Sequence, residues 1–325
     1  MNLFKNKFFI IAIVLVAIFL AIFFFTPAKE VETRKIKLGY MSGEAIHAGL
    51  PVLAAQEKGY FKEEGLDVEF VKINPGIVVP ALLSGEIDYS SIDGGTIGAA
   101  LEGAHLSTIA IKTSHRGLRL IAKPETNVED IKLIGVQYYN TPAHYLALRV
   151  IEDYNLDADV IASEQTVVSM LVSNQVDAIV VQAFNAIKLT EQGYSNLGVF
   201  DEPITPGGLS VRKEILDENP DEVQKMVKAY QRGVDFILNG PSDEVIDLII
   251  KHLDVERNEE NFEMATLAYP ITVELFKTEG SSVKDGAKLL IQLSKVKEYT
   301  SLEDIRNEVV TQEEIDSILN LSFID

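Results

Sequence analysis

An α/β protein of two similar lobes joined by a hinge, following an N-terminal apolar helix, is what the sequence predicts, and three observations predict it. Strand-like and helix-like segments alternate from Ile36 onward, the pattern of parallel α/β sheets. The same order of segments starts again at Ile131. Small and amide-bearing residues gather where strands hand over to helices, as in Asp93-Gly94-Gly95-Thr96, and such sheets bind ligands at those places.

The N-terminus MNLFKNK carries Lys5 and Lys7 and is followed by an unbroken apolar run from Phe8 to Phe25. A cleavable signal has an apolar region of about 7–15 residues, and roughly 18 apolar residues begin to read as a membrane span. Residues 1–30 are therefore read as a membrane anchor through residues 8–25 or as a signal segment, with Thr26-Pro27-Ala28 as a weak cleavage site before Lys29. Basic residues ahead of the run keep the N-terminus cytoplasmic, so the rest of the chain is expected outside the cytoplasm, in a periplasm or at the cell surface, anchored or released.

Beyond the linker, IKLGY is a strand, Ala45 to Lys58 a helix closed by Gly59, LDVEFV a strand and Ile77 to Leu83 a helix. A turn at Ser84-Gly85, a strand from Ile87 to Ile92 and a helix entered through Asp93-Gly94-Gly95-Thr96 follow. The second pass repeats the first: IKLGY answers to IKLIGV (131–136), GLDVEFV (65–71) to NLDADVI (155–161), and ALLSGEID (81–88) to MLVSNQVD (170–177). In these pairs Leu66 and Asp67 meet Leu156 and Asp157, and Asp88 meets Asp177. Short turns favour the same small residues in unrelated units, so the shared order carries the argument. From about Val211 the chain turns helical, with Asn219-Pro220-Asp221-Glu222 as a cap and Thr311-Gln312-Glu313-Glu314 as a capping box. This tail is expected to pack over the first lobe. The expected division is residues 35–122 plus 207–325 for lobe 1 with the C-terminal helices, and 123–206 for lobe 2.

Composition excludes several classes. Forty-nine acidic against 29 basic side chains give a net charge of -20, which repels phosphate backbones and makes nucleic acid an unsuitable partner. The absence of Cys removes disulfides, thiolate metal sites and a Cys nucleophile. No P-loop, HExxH or GxSxG motif occurs, and the five His have no metal-ligand spacing. No cofactor, no metal and no enzymatic activity are expected, although a lone Glu or His suffices for acid–base work.

Six loops could hold a ligand: residues 41–44, 74–76 and 93–96 on the first lobe, and 138–141, 163–166 and 182–185 on the second. Candidate contacts are Ser42, Gly43, Glu44, His47, Asp93, Gly94, Gly95 and Thr96 on the first lobe, with Arg116 from the Ser114-His115-Arg116 break between two apolar stretches. Tyr139, Asn140, Thr141, Gln182 and Asn185 are the candidates on the second. Gly94 and Gly95 would let a ligand touch main chain at a helix start, with Thr96 adding a hydroxyl. A plain strand-to-helix turn uses Gly and Asp as well, and a lone His such as His47 is more often a satisfied core residue. Tyr138-Tyr139 offers flat surfaces for a ring, and Glu44 with Asp93 suits an amine, amide or ring NH better than a bare anion. Thr96→Ala or Arg116→Ala is expected to weaken binding without lowering the unliganded melting temperature.

At AAQEKGYFKEEGLDVEF (54–70) the sequence resembles the extracytoplasmic solute-binding proteins of ABC importers, in the sulfonate, nitrate and thiamine-pyrimidine branch. ALLSGEID with its Gly-rich turn and LIAKPETNVEDIKLIGV (120–136) are similar to that branch too, so the resemblance spans roughly Lys35 to Val211. It implies a periplasmic-binding-protein type II fold, with crossovers near Ala122-Lys123-Pro124 and Pro206-Gly207-Gly208. It further implies lobes that close on a small molecule and present it to an ABC permease and its ATPase. The resemblance does not name the ligand; a nitrate-sized anion would leave the tyrosines and acids without a role, so a small organic ligand, a heterocycle or an amine-bearing acid, is expected, bound by a monomer. Many relatives carry a lipid-modified Cys, absent here, so the apolar run would take over anchoring. Yeast-type pyrimidine synthases on this fold use a Cys-rich motif, which a chain without Cys does not fit. His47 stands near where pyrimidine binders place polar contacts, but Ile46-His47-Ala48-Gly49 is too loose a match to carry the ligand over. The competing readings are an accessory or sensor ectodomain and a small-molecule enzyme on the same fold.

Overall fold

Left-handed turns of matching placement punctuate both halves of the chain. Gly65 (φ 76°) and Gly85 (φ 77°) take this conformation in the first half, Asn155 (φ 50°) and Asn174 (φ 60°) in the second, and Asn is the side chain that tolerates it best after Gly. The computed structural model describes residues 34–43, 46–92, 94–111, 117–139, 141–163, 167–199, 208–277, 280–296, 299–320 and 322–323. The chain divides into two units, Met1–Arg34 and Lys35–Asp325, and the architecture below is that of the second. The run from Phe8 to Phe25, read as anchor or signal, lies outside the described residues. Among the described residues no helix is long and apolar enough to cross a membrane.

The first half lays down β1 (Lys35–Tyr40), α1 (Ile46–Glu57), α2 (Tyr60–Glu63), β2 (Asp67–Lys72), α3 (Val78–Ser84), β3 (Tyr89–Ser90), α4 (Gly94–Leu101) and β4 (Leu106–Ile111). The second half runs β5 (Arg119–Ala122), β6 (Leu133–Val136), α5 (Pro142–Asp153), β7 (Asp159–Ala162), α6 (Val167–Val172), β8 (Ala178–Val181), α7 (Ala183–Glu191), β9 (Ser195–Val199) and β10 (Gly208–Arg212). The tail holds α8 (Lys213–Glu218), α9 (Pro220–Asn239), α10 (Ser242–Leu253), α11 (Glu259–Phe276), α12 (Gly280–Lys295), α13 (Leu302–Arg306) and α14 (Gln312–Ile318).

These strands build two five-stranded sheets of the same design, β2-β1-β3-β10-β4 and β7-β6-β8-β5-β9. In each, a central strand lies parallel to two neighbours: β1 to β2 and β3, β6 to β7 and β8. Each also has one antiparallel strand in fourth place, β10 in the first sheet and β5 in the second. These are the strands that follow a passage between sheets, so each sheet is completed by a strand entering from the other side. The sheets are thus mixed rather than parallel throughout. Because β5 pairs with β8 and β9, the first crossover lies between Ile111 and Arg119, not after Ala122 as the sequence reading placed it.

The repeated sequences do the same work in both sheets. Asp88 Oδ2 accepts the Lys37 N–H at the start of β1 (2.9 Å), and Asp177 Oδ2 accepts the Lys132 and Leu133 N–H groups at the start of β6 (3.0 Å each). Each carboxylate also meets a cation at the end of the inserted antiparallel strand, Arg212 at 3.4 Å and Lys123 at 3.0 Å. Burial pushes the Asp177 carboxyl up, but the Lys123 ammonium and the two N–H groups outweigh it and hold the group below the usual carboxylate range.

The tail does not stay on the first lobe. Helices α9 and α10 supply Val223, Met226, Tyr230, Val245 and Ile249 to the core around β1. Leu293, Tyr299, Leu302 and Ile305 then join the core around β5 and β6, where Arg306 makes a two-pronged pair with Glu152 on α5 (2.8 and 2.9 Å). The chain returns at Ile318 and Leu319, which pack on Ile97 and Ile111, and Asn320 N–H bonds the Thr108 carbonyl on edge strand β4 (2.9 Å). The expected capping box at Thr311 and Glu314 is present. Asn219 is followed by Pro220 in the first helical position but makes no side-chain cap, and its N–H closes α8 on Ile215.

Candidate binding cleft

On the first sheet the loop leaving β1 is fixed through backbone. Gly43 adopts φ 110° and its N–H donates to the His252 carbonyl of α10 (2.7 Å). Gly49 permits this approach, since a Cβ there would overlap the Met41 carbonyl oxygen and the His252 ring. Ser42 beside it is partly exposed. His47, the second residue of α1, is buried at 5 % exposure, and it shares a small cavity with Gln182, Ala183 and Phe184 at the start of α7 and Thr272 and Leu275 of α11. Two candidates predicted on opposite lobes, His47 and Gln182, are thus brought together.

Gln182 also lines a larger cavity of about 190 Å³ at the carboxyl ends of β6 and β8. Gln137, Gln182 and Asn185 supply its amides, over a floor that includes Leu118, Ala143 and Val167. Gln182 opens α7 without capping it through its side chain, so the fold makes no such use of this amide. None of the described lining residues is titratable; they offer paired donors and acceptors to a neutral or zwitterionic group. Gln137 and Leu118 were missed by sequence reasoning. The signal for Gln137 was a polar residue directly following the apolar strand LIGV, overshadowed by the two tyrosines after it.

Other candidates fall elsewhere. Gly94 and Gly95 begin α4, and a Cβ at Gly95 would meet only Val79, at an ordinary 3.7 Å, so packing does not require glycine there. Thr96 is a correction: it is 1 % exposed, and its hydroxyl lies 2.7 Å from Ser210 Oγ on β10, which also meets Thr108. Helical geometry turns Thr96 inward onto the sheet it covers. Thr96→Ala is therefore expected to lower the unliganded stability by about 1 kcal/mol, contrary to the sequence expectation, and a melting curve checks it. Thr141 caps α5, accepting the His144 N–H (3.4 Å) and donating to the Tyr138 carbonyl (2.8 Å). Glu44, Asp93, Arg116 and Asn140 lie outside the described residues.

Tyr139 is the second correction. Its hydroxyl bonds the Val160 carbonyl of edge strand β7 (3.2 Å) and its ring meets His144 edge-on at 5.1 Å. It lines a separate cavity of about 510 Å³ with Leu148, Ile151, Asp159 and Tyr299 rather than the amide-lined one. His144 also stacks on Tyr299 (4.7 Å, 15°), whose hydroxyl donates to the Thr141 carbonyl (2.8 Å). Burial pushes the Tyr299 phenol up and holds His144 down at about 4. Unfolding frees His144 to take a proton near its ordinary 6.5, so stability is expected to fall as pH drops from about 6.5 to about 4. Thermal midpoints across that range should show a flatter slope in His144→Phe, which keeps the ring stack.

Two mixed sheets of one order, each completed by a strand from across the crossover, with an amide-lined hollow at the carboxyl ends of the second, define the class: the fold of periplasmic binding proteins. The chain resembles in structure the periplasmic aliphatic sulphonate-binding protein SsuA from Escherichia coli, with a TM-score of 0.65 and 15 % identity, covering 86 % of this chain and 98 % of that one. It is equally similar to the periplasmic nitrate-binding protein NrtA from Synechocystis PCC 6803, with a TM-score of 0.65, 14 % identity, and 90 % and 87 % covered. In sequence it is 28 % identical over 256 residues to a Brucella abortus protein named as a candidate binding protein, covering 74 % of this chain and 78 % of that one. The family model described as NMT1/THI5 like matches residues 47–244, and the chain belongs to that family.

Proposed function

We propose that this protein is an extracytoplasmic solute-binding receptor that captures a small organic molecule between its two lobes and delivers it to an ABC importer. The observation that carries the reading is the position of Gln182. It lines the amide cavity of the second sheet and, with His47 of the first, also borders a small neighbouring hollow, so on this reading lobe closure would bring the first lobe onto a ligand held there. A fold shared with sulphonate- and nitrate-binding proteins supports a transport role over an enzymatic one. The amide lining favours a heterocycle or an amine-bearing acid over a simple anion, since the described lining residues bring no cation. Lobe 1 on this reading comprises the β2-β1-β3-β10-β4 sheet with α9–α11, and lobe 2 the other sheet with α13. Residues 8–25 would hold the protein at the membrane or be removed, and the receptor would act as a monomer with a permease and its ATPase.

A thermal-shift panel of sulfonates, nitrate, aminopyrimidines, flavins, amino acids and aromatic acids on the full chain tests this. A ligand at 100 times its Kd stabilises by about 2.7 kcal/mol. The reading expects one chemical class to raise the melting temperature, and Gln182→Ala to abolish the rise while leaving the unliganded melt unchanged. Conversion of the hit to product would favour an enzyme, and an undiminished rise in Gln182→Ala would reject this site.

A further inference from the structure

The cavity of about 510 Å³ beside edge strand β7 has a filled counterpart in the first half of the chain. In both halves a helix ends in the same turn: the Leu66 N–H donates to the Phe61 carbonyl beside left-handed Gly65, and the Leu156 N–H to the Ile151 carbonyl beside left-handed Asn155 (2.9 Å each). The strand that follows pairs in the same register, Phe70 with Leu38 and Val160 with Ile134; Leu38 in turn faces Tyr89, next to Asp88, and Ile134 faces Ala178, next to Asp177. Phe61, Val68 and Phe70 thus correspond to Ile151, Ala158 and Val160. Each is smaller in the second half, and the three smaller residues all line the cavity. In the first half the Phe61 and Phe70 rings meet edge-on at 6.1 Å, and Phe70 meets Tyr40 at 5.2 Å, so α2 and β2 close on each other through aromatic surface.

We infer that this cavity is a second binding site, for a small neutral aromatic molecule that takes the place held by the Phe61 and Phe70 rings in the first half. The walls from α5 and β7 are aliphatic, and Tyr139, His144 and Tyr299 bring rings to the same space, where aromatic edges and faces favour another ring over a saturated body of equal size. Asp159, at the border, alternates to the opposite face of its strand from Ala158 and Val160, as Glu69 does from Val68 and Phe70, so β7 turns no charge toward the occupant. His144, held down at about 4 by burial, is neutral at physiological pH. A dry cavity of about 150 Å³ takes one benzene ring, so about 510 Å³ has room for two fused rings. The proposed transport role makes no use of this space, which lies apart from the amide-lined cavity.

Fluorescence titration of the full chain with 2-naphthol tests the site, with decahydro-2-naphthol as the saturated competitor. The chain has no Trp, so the probe is excited beyond tyrosine absorption without protein emission. Expected are saturable binding and about fivefold weaker binding of the saturated analogue. Val160→Phe, which restores the residue of the first half, is expected to weaken 2-naphthol binding about tenfold with no fall in the melting temperature, and Gln182→Ala to leave binding unchanged. Nuclear Overhauser contacts from the probe to the Tyr139 and Tyr299 ring protons in the wild-type chain give a readout independent of any variant. Absence of saturable binding at millimolar probe, equal binding of the saturated analogue, full affinity in Val160→Phe, or contacts to neither ring overturns the inference. A Val160→Phe chain that melts well below the wild type would overturn its premise, that the space is open to a ring. Loss of binding in Gln182→Ala would also overturn it, by placing the probe in the amide-lined cavity, and none of these results bears on whether a solute binds at Gln182.

Discussion

Asp88→Ala is expected to destabilise the protein by about 3 kcal/mol, the lower end for breaking a buried ion pair. Asp88 is 6 % exposed and holds two things at once, the Lys37 N–H of β1 and the Arg212 guanidinium. Arg212 reaches past it to donate to the Leu82 and Ile87 carbonyls at 2.6 and 2.8 Å, tying α3 and β3 to β10. Without the carboxylate, a partly buried cation keeps its carbonyls but loses its counter-charge, and a strand N–H loses its acceptor. The equivalent Asp177→Ala should cost less, because Asp177 and Lys123 are more exposed, at 29 % and 27 % of their side chains, and water screens them. Urea unfolding of both variants checks the order. Equal losses would mean that burial does not set the difference.

Gly233→Ala is expected to cost about 3 kcal/mol or more, the upper range for overpacking. A Cβ at Gly233 would overlap the Pro51 carbonyl oxygen and lie 3.1 Å from its carbon and 3.2 Å from the Ala55 nitrogen. These neighbours are backbone of α1, so no rotamer change relieves the clash and α9 must move away from α1. That displacement would also shift the start of α1, where His47 and Gln182 border one hollow, so weakened ligand binding should accompany the lower melting temperature. A variant that melts like the wild type would show that the two helices are not in this close contact.

The sequence showed most clearly what is local. The pairings of Gly65 with Asn155, Gly85 with Asn174 and Asp88 with Asp177 were visible because turn geometry and strand-start hydrogen bonding place their demands on single residues. Both members of each turn pair take the left-handed conformation, and both carboxylates accept strand N–H groups and meet a cation, Arg212 for Asp88 and Lys123 for Asp177. Long-range pairing was not visible. Nothing in RLIA or GLSVR states that each enters a sheet antiparallel, since alternation and apolarity read the same in either direction. The tail's excursion to the second lobe was hidden for a similar reason: Leu302 and Ile305 announce an apolar helix face but not the surface it covers. Within the candidate cleft, amides at helix starts singled out Gln182 and Asn185, which line one cavity. Thr96 and Tyr139 misled because a polar group at a strand end can turn inward or to the far side, and strand periodicity stops where the loop begins.

The absence of Cys allows the central claim, capture of a solute between two lobes, to be tested by paired spin labels. Ile77→Cys and Tyr138→Cys place one label on each lobe at positions 55 % and 52 % exposed, beyond β2 and β6 respectively. The distance between them is measured by pulsed electron resonance with and without the solute found in the thermal panel. The account predicts a shorter and narrower distance distribution when the solute is bound, and no such change in Gln182→Ala. A solute that binds at full affinity while the distribution stays as it was would contradict capture between the lobes.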